Sequence, residues 1–198
     1  NLNNFPSISI VGATGAVGKV CLDILAERNY PAEKIKLFAS ERSAGKRISY
    51  NKNDLIVNEA DKNSFKGSNV VFISADSEVS LSLAPAAVNS GALVIDDGSA
   101  FRMKKNVPLV VPEVNEDDIN FHEGIISIPN CTTTPLAMAL DKLRKLSKIE
   151  RVHASTYQAV SGSGSLAVSE LRDQTENILN NEEISKSVYP HQIAFSLI

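Results

Sequence analysis

The sequence has no tryptophan, only two cysteines and no long apolar run. Two cysteines in 198 residues do not make the disulfide framework of a small secreted domain. Without an apolar run of about 20 residues we expect no membrane-spanning segment, and the cytoplasm is the expected compartment. A large excess of charge is also lacking, since 20 Lys and Arg stand against 23 Asp and Glu. These absences argue against nucleic-acid and membrane partners and favour small ligands bound at a local site.

Short β-branched runs alternate with amphipathic stretches along the first two thirds of the chain. This alternation is typical of an α/β fold with a mainly parallel sheet covered on both faces. Helices are predicted over 18–29 and 78–90, the second closed by Gly91. The predicted strands of this sheet cover residues 7–11, 35–39, 69–74, 92–96, 109–111 and 125–128.

A chain of 198 residues suggests one complete domain and part of another. We place the boundary near residue 130, with one domain over 1–130 and an incomplete second domain over 131–198. In the second domain, the sequence predicts a strand over 151–160, a tight turn at "SGSGS" (161–165) and a helix over 166–179. The apolar end of the chain suggests that further residues follow in the complete protein.

Three glycines follow the first predicted strand and open an amphipathic helix in "SISIVGATGAVGKVCLDIL". In this context Gly12 allows a tight turn, Gly15 lets the backbone approach a pyrophosphate, and Gly18 permits close packing. The spacing departs from the common GxGxxG, and a glycine-rich turn without a ligand is the alternative. We predict a dinucleotide site.

The segment "FASERSAGK" follows the second predicted strand, where an NAD site usually carries an acidic residue for the ribose 2′-hydroxyl. Ser40, Arg42, Ser43 and Lys46 are instead suited to grip a 2′-phosphate, with Glu41 opposing them in charge. The sequence therefore predicts NADP rather than NAD, with an exposed charged turn as the alternative.

The two cysteines have different predicted environments. Cys21 shares a helical stripe with Val17, Val20 and Ile24, which predicts core packing. Cys131 lies between the apolar run 125–128 and the start of a helix that contains leucines from 136 to 146. At such a junction the unpaired helix amides and the dipole favour a thiolate, so Cys131 is a candidate nucleophile, although a buried structural thiol is the alternative.

Six motifs together resemble aspartate-semialdehyde dehydrogenase: "GATGAVG", "ASERSAGK", "VIDDGSAFRM", "PLVVPEVN", "PNCTTTPLA" and "TYQAVSGSG". The resemblance implies a Rossmann-like, doubly wound parallel sheet, followed by the start of an α+β catalytic and dimerisation domain. It also implies a homodimer and an NADP-dependent, phosphorylating oxidation of L-aspartate 4-semialdehyde to 4-phospho-L-aspartate. In the cell this reaction would run toward the aldehyde, for lysine, threonine and methionine biosynthesis.

The resemblance also implies roles for individual residues. Cys131 matches the nucleophile that forms a thioester, and Gln158 matches the glutamine that positions the substrate. Arg102 and Asn130 match phosphate contacts. The positions that match cofactor contacts are Thr14, Gly15, Ala16, Val17, Ser43, Ala44, Ser161 and Gly162. The glycine motif adds Gly12 and Gly18 to the predicted cofactor-binding residues.

The chain departs from the family pattern at Asp97, where the family commonly has asparagine, and in "PNCTTTPL", where it more often has serine after the cysteine and no proline. Pro135 should be tolerated in the first helical turn. Asp97 adds a negative charge on the side of the nicotinamide. An N-acetyl-glutamyl-phosphate reductase is the enzymatic rival, but it usually has glycine where this chain has Asn130. A non-catalytic dinucleotide-binding module is the third hypothesis.

The reaction also needs a proton acceptor, and the chain offers only His122, His153 and His191. If residues 151–160 form a strand with Gln158 facing the site, His153 lies on the opposite face and roughly 16 Å away. We expect His122 in a loop and His191 at the surface or in packing. The resemblance places the base beyond Ile198, so this chain alone should turn over negligibly.

Overall fold

The structure is a computed structural model that describes residues 5–197. The chain forms two compact units, Asn1–His153 and Ala154–Ile198. The first unit contains a seven-stranded sheet with the order β3-β4-β2-β1-β5-β6-β7. Its strands are β1 (Ile8–Val11), β2 (Ile35–Ala39), β3 (Arg47–Tyr50), β4 (Asn53–Glu59), β5 (Val70–Ile73), β6 (Leu93–Asp96) and β7 (Ile125–Ser127).

Five of the predicted strands are confirmed as β1, β2, β5, β6 and β7, and these five pair in parallel. Strand β4 also runs parallel to β2. Strands β2, β4 and β3 lie on one side of the central strand β1, and the chain then crosses to the other side, where β5, β6 and β7 follow. This reversal is the topological switch point of a doubly wound sheet.

The hairpin of β3 and β4 is missing from the sequence prediction. Its strands pair antiparallel, and Tyr50 lies opposite Asn53. The two residues between them, Asn51 and Lys52, have φ values of 44° and 67°. Positive φ at both positions is typical of a two-residue hairpin turn, in which asparagine is favoured. Asn51 in "SYNKND" was therefore the signal that could have revealed this hairpin.

The described residues form five α-helices: α1 (Ala16–Glu27), α2 (Ser77–Asn89), α3 (Pro112–Asn115), α4 (Thr133–Arg144) and α5 (Ser165–Leu179). The predictions of α1, α2, α4 and α5 are confirmed. Gly91 closes α2 as predicted, with φ +90° and with the next N–H, that of Ala92, donating to Ala87. Pro135 lies in the first turn of α4, as expected.

Two apolar clusters cover the two faces of the sheet. On one face, Val11 and Phe38 pack with Leu83 and neighbouring residues of α2. On the other face, Ile10 and Leu37 pack with Leu22 of α1. Successive residues of a strand point to opposite faces, so each buried strand contributes to both clusters. The helices therefore cover both faces, which confirms the doubly wound α/β fold.

The predicted strand over 109–111 is wrong as a strand. Only Leu109 forms an isolated bridge, to Ser127. Proline stands on both sides of this segment, at 108 and at 112, where α3 begins. Because proline has no N–H to give to a ladder, the segment cannot extend as a regular strand.

The predicted strand over 151–160 is also wrong. Residues 151–159 have no regular secondary structure. None of the described strands forms a ladder with this segment, and a β-strand is defined by such backbone pairing. The expected tight turn follows as a short 3₁₀ helix, Val160–Ser163, and α5 begins directly after Gly164.

The predicted apolar stripe of α1 is only partly buried. Cys21 is half-buried and packs against the cluster of β1 and β2. In contrast, Val17, Val20 and Ile24 are each more than 40% exposed. The apolar face of α1 is broader than the part of it that meets the sheet, so core packing is confirmed for the environment of Cys21 but is wrong for these three.

The second unit is organised around two buried polar residues of α5. The carboxylate of Glu170 accepts hydrogen bonds from the backbone N–H groups of Ser187, Val188 and Tyr189. Gln174, 1% exposed, binds the backbone of 185, 193 and 194. Side chains of α5 thus hold the irregular segment 185–194.

Candidate active site

Loops that carry the expected site residues in the first unit leave the sheet at one edge. The strand ends Val11, Ile73, Asp96 and Ser127 lie side by side in the register of the parallel strands. The carboxyl ends of parallel strands meet at a common edge, and ligands of open α/β sheets bind outside that edge. The loops after β1, β2, β5, β6 and β7 therefore form one candidate site.

The glycine turn after β1 is tightly packed. Gly12 has φ +84°, and a Cβ on it would lie 2.0 Å from the carbonyl oxygen of Ser74. A Cβ on Gly18 would lie 2.3 Å from the carbonyl oxygen of Gly12. Any side chain at either position would force the turn and the helix apart, so the tight turn at Gly12 and the close packing at Gly18 are confirmed. Their cofactor contacts stay a prediction.

The start of α1 fits the phosphates of a dinucleotide. Gly15 is the N-cap residue and is exposed, so its backbone is open to a close approach. The first N–H groups of a helix have no acceptor inside it, and the helix dipole attracts negative charge there. Thr14 is half-buried, whereas Ala16 and Val17 are exposed at the start of α1.

The loop after β2 touches the glycine turn through one serine. The hydroxyl of Ser43 accepts hydrogen bonds from Thr14 Oγ1 and from Lys46 Nζ, each at 3.4 Å. Ser40, Arg42 and Ala44 are exposed beside it, around a 3₁₀ turn over Glu41–Ser43. The predicted 2′-phosphate residues thus lie together, next to the glycine turn.

The loop after β6 is tied to its neighbours by Asp97 and Arg102. The Asp97 carboxylate accepts a hydrogen bond from Ser74 Oγ at 3.0 Å. Arg102 donates from Nε to the carbonyl of Ile128 at 3.0 Å and from one Nη to the carbonyl of Asp97 at 2.9 Å. These bonds fix the guanidinium between the loops after β6 and β7.

Sequence reasoning missed Ser74 as part of this site. It bridges the glycine turn and Asp97, and its N–H donates to the carbonyl of Val11. The signal was its place directly after β5, the strand that neighbours β1 at the switch point.

Cys131 lies at the expected junction between β7 and α4 and is exposed. The expectation that the first amides are unpaired is wrong for Thr132, Thr133 and Thr134. The first donates to Asn130 Oδ1 and the other two to the Asn130 carbonyl. Asn130 therefore caps the entry to α4, while the positive end of the helix dipole still faces the thiol.

Asn130 also contacts the thiol group directly. Its Oδ1 atom lies 3.9 Å from Cys131 Sγ and accepts a hydrogen bond of 2.7 Å from Thr132 Oγ1. An amide whose oxygen is held in this way presents its NH₂ group as the donor, which suits an anion.

Cys21 differs from Cys131 in its surroundings. Burial raises the pKa of the Cys21 thiol above its ordinary value. A thiol with a raised pKa is less often ionised at neutral pH and is a weaker nucleophile. The two thiols therefore form an internal comparison for reactivity.

The expected residues Gln158, Ser161 and Gly162 belong to the second compact unit, where all three are exposed. Because residues 151–159 form no strand, the strand geometry that placed His153 on the opposite face from Gln158 no longer applies. His153 is exposed in the first unit.

The other two histidines lie where the sequence predicts them. His122 is exposed in a loop, where its Nδ1 accepts the N–H of Gly124 at 3.0 Å. His191 is exposed after Pro190.

Within residues 5–197, no group of three or more His, Cys, Asp or Glu is arranged to hold a metal ion.

Across that same part of the chain, no helix has the length and apolar character needed to cross a membrane.

Two family models match the chain. "Semialdehyde dehydrogenase, NAD binding domain" matches residues 7–122, and "Semialdehyde dehydrogenase, dimerisation domain" matches residues 140–198. The boundary that we placed near residue 130 lies between these ranges and stays a prediction.

Characterised proteins align with most of this chain. Aspartate-semialdehyde dehydrogenase of Bacillus subtilis strain 168 is 48% identical over 198 residues, covering 96% of this chain and 57% of that protein. The structure of aspartate semialdehyde dehydrogenase II from Vibrio cholerae, complexed with ASA, is 38% identical with a TM-score of 0.90. The alignment covers 96% of this chain and 57% of the Vibrio cholerae chain.

A more distant structure carries a cofactor. Aspartate semialdehyde dehydrogenase with NADP from Candida albicans is 27% identical, with a TM-score of 0.61 over 73% of this chain and 48% of that one. The chain thus spans about half the length of these relatives. The match of the NAD binding domain to more than half of the chain shows that it belongs to the semialdehyde dehydrogenase family.

Proposed function

We propose that the full-length protein is an NADP-dependent aspartate-semialdehyde dehydrogenase. It interconverts L-aspartate 4-semialdehyde and phosphate with 4-phospho-L-aspartate, and in the cytoplasm it runs as a reduction that serves lysine, threonine and methionine biosynthesis, diaminopimelate included. The observation that carries this proposal is the exposed Cys131 at the β7 to α4 junction, on the same sheet edge as the glycine turn. The Bacillus subtilis relative of that name supports it.

In the oxidative direction, the Cys131 thiolate attacks the aldehyde carbon, and loss of hydride leaves a thioester on sulfur. NADP, when bound, accepts that hydride. Phosphate then attacks the thioester carbon, the carbon–sulfur bond breaks, and the thiolate is regenerated. The exposed thiol and the helix dipole behind it suit the first and last of these steps.

Arg102 and Asn130 are proposed to hold the phosphate. Two of the donors of Arg102 are bonded to backbone carbonyls, which fixes the plane of the guanidinium, and the guanidinium has further N–H groups for a ligand. The NH₂ group of Asn130 is directed by the bonds that its oxygen accepts. Both groups therefore enter the site without having to be ordered by the ligand.

The preference for NADP is assigned to the loop after β2. Arg42 and Lys46 are exposed there, and Ser43 joins this loop to the glycine turn. Replacing Arg42 with alanine should weaken NADP binding about tenfold and change NAD binding less than twofold, because only NADP has the 2′-phosphate. Arg28→Ala, at the other end of α1, is the control, measured by calorimetry.

Gln158, Ser161 and Gly162 are proposed to complete the substrate and cofactor contacts. The general base is proposed to lie outside this chain, so residues 1–198 alone should show negligible turnover. The family's dimerisation domain over residues 140–198 supports a homodimer. Turnover by the 198-residue chain near that of the full-length protein would contradict this assignment of the base.

Thiol labelling tests the nucleophile. In the full-length protein at neutral pH, iodoacetamide should modify Cys131 at least tenfold faster than Cys21, and phosphate should slow the reaction at Cys131 only. Cys131→Ala should abolish the oxidation of L-aspartate 4-semialdehyde, while Cys21→Ala should keep most of it. Equal, slow labelling of both thiols would instead support a non-catalytic module. Faster turnover of N-acetyl-glutamate semialdehyde would support the reductase rival.

A further inference from the structure

Asp97 occupies a central place at the sheet edge. It directly follows β6, and its N–H donates to the carbonyl of Ile73 at the end of β5. Its half-buried carboxylate accepts the Ser74 hydroxyl. The side chain is therefore fixed beside the ends of β5 and β6 rather than free to turn into solvent.

Ser74 links Asp97 to the glycine turn. The carbonyl oxygen of Ser74 lies so near Gly12 that a Cβ there would approach it to 2.0 Å. Asp97 is thus linked to the glycine turn through a single residue, Ser74, on the β5 side of the switch point. The loop with Ser43 and Arg42 is on the opposite side, after β2.

A dinucleotide at this edge spans the switch point. With its pyrophosphate at the start of α1 and its adenosine half over the loop after β2, its nicotinamide half would lie toward the ends of β5 and β6. These are the strands that Ser74 and Asp97 follow. The inference rests on the proposed function, because it requires this cofactor.

We propose that Asp97 sets the preference of the site between the two redox forms of the cofactor, favouring the oxidised form. The oxidised nicotinamide ring carries a positive charge and the reduced ring is neutral. A carboxylate fixed near the ring attracts only the oxidised form. An uncharged side chain at the same place would bind both forms without this difference.

Arg102 opposes this effect in part. It donates to the backbone carbonyl of Asp97, so its positive charge belongs to the same loop. Phosphate bound to Arg102 would neutralise that charge. The preference for the oxidised form should therefore increase when phosphate is present, which couples the two sites electrostatically.

The test compares dissociation constants of NADP⁺ and NADPH for the full-length protein and its Asp97→Asn variant, measured by calorimetry. The variant should bind NADP⁺ about tenfold more weakly and NADPH within about twofold of the wild type. Asp97→Glu keeps the charge and should retain most of the preference. Ser74→Ala removes the hydrogen bond but not the charge and should also retain most of it.

Asp54→Asn is the matched control, because that carboxylate lies on the β4 hairpin strand and is exposed. It should leave both constants unchanged. Should Asp97→Asn fail to fold, the wild type gives a second readout. The ratio of the NADPH to the NADP⁺ dissociation constant should fall as salt is added and rise as phosphate is added. The contacts to the 2′-phosphate are common to both forms and cancel in this ratio.

Equal weakening of NADP⁺ and NADPH in Asp97→Asn, or a wild-type ratio that is insensitive to salt and phosphate, would overturn this role of Asp97 and leave the proposed function intact. A full-length wild type that binds neither form would instead overturn the proposed function itself, and this inference with it.

Discussion

Two buried carboxylates, one in each compact unit, respond to burial in opposite ways. Asp96, at the end of β6, is fully buried, and burial raises its pKa above the ordinary value despite the Ser80 hydrogen bond. Glu170, on α5, is 5% exposed, yet hydrogen bonds from Val188 and Ser187 lower its pKa to about 2. At Asp96 desolvation outweighs the hydrogen bonds that the carboxylate accepts, whereas at Glu170 the hydrogen bonds outweigh desolvation.

The surroundings of the two groups explain the difference. Asp96 Oδ1 accepts a hydrogen bond from the Ser80 hydroxyl at 2.7 Å. Within residues 5–197, Asp96 Oδ2 has no hydrogen-bond partner of good geometry. The backbone amide of Gly98 lies near the carboxylate and also lowers its pKa, but burial has the larger effect. Glu170 accepts from three backbone amides, from the Ser187 hydroxyl and from the side-chain amide of Gln174. One carboxylate is desolvated with little compensation, and the other organises a segment of chain.

The largest effect is expected from removing the Glu170 carboxylate. In Glu170→Ala, the amides of Ser187, Val188 and Tyr189 lose their acceptors, so their hydrogen exchange in the full-length protein should accelerate at least a hundredfold. Glu170→Gln keeps one acceptor oxygen and should have an intermediate effect. Exchange that is unchanged in Glu170→Ala would show that the segment 185–194 is held by other contacts.

A smaller effect is expected at Asp96. Asp96→Ala leaves the buried Ser80 hydroxyl without its acceptor and should lower the free energy of unfolding by about 1–3 kcal/mol. Asp96→Asn keeps an acceptor without a charge and should stay within about 1 kcal/mol of the wild type, measured by urea denaturation at neutral pH. If Asn were as destabilising as Ala, the charge of Asp96 would be stabilising, and the comparison with Glu170 would fail.

The smallest effects are expected from pH. The Glu170 pKa falls from 4.5 to about 2 on folding, so its contribution is present above about 4.5 and is lost as pH decreases toward about 2. Hydrogen exchange at Ser187 and Val188, corrected for the intrinsic rate, should show this loss. Glu170→Gln should remove the pH dependence, and a loss that begins well above pH 4.5 would contradict the assignment.

Asp96 should show the opposite dependence. Its pKa is raised from 3.8 on folding, so the unfolded state releases its proton first as pH rises. Its contribution is therefore present at low pH and is lost as pH increases through the folded-state value. The difference in unfolding free energy between the wild type and Asp96→Asn should shift in favour of the variant over that range. A constant difference would show that Asp96 titrates alike in both states.

Local pattern was sufficient for most of the fold. The buried strands β1, β2, β5, β6 and β7 are short β-branched runs, and α1, α2, α4 and α5 have apolar residues at helical spacing. The packing of Gly18 is also a local feature, since its close neighbours are Gly12 and Ala13 of the same βα unit, whereas the close neighbour of Gly12 is Ser74, from a distant segment. The β3–β4 hairpin was missed because its strands are largely exposed and carry little apolar signal.

Contacts between distant segments were beyond the reach of pattern. Residues 151–160 have the composition of a strand but form no β-ladder among the described residues, and α1 has a broader apolar face than the sheet covers. The hydrogen bonds from the amides after Cys131 to Asn130 are local, but they depend on how the backbone turns between β7 and α4, which the motif does not specify.

The sequence by itself determined the buried strands β1, β2, β5, β6 and β7 and the helices α1, α2, α4 and α5. It also identified the glycine motif and the candidates Cys131, Arg102 and Asn130, because periodicity, composition and motifs are local properties of the chain. The tertiary structure alone decided that Ser74 joins Asp97 to the glycine turn, that two backbone carbonyls fix Arg102, and that Asp96 and Glu170 are buried among different numbers of donors. The strength of charge interactions and hydrogen bonds depends on the distance between atoms in space, and the strand order brings together residues that are far apart in the sequence.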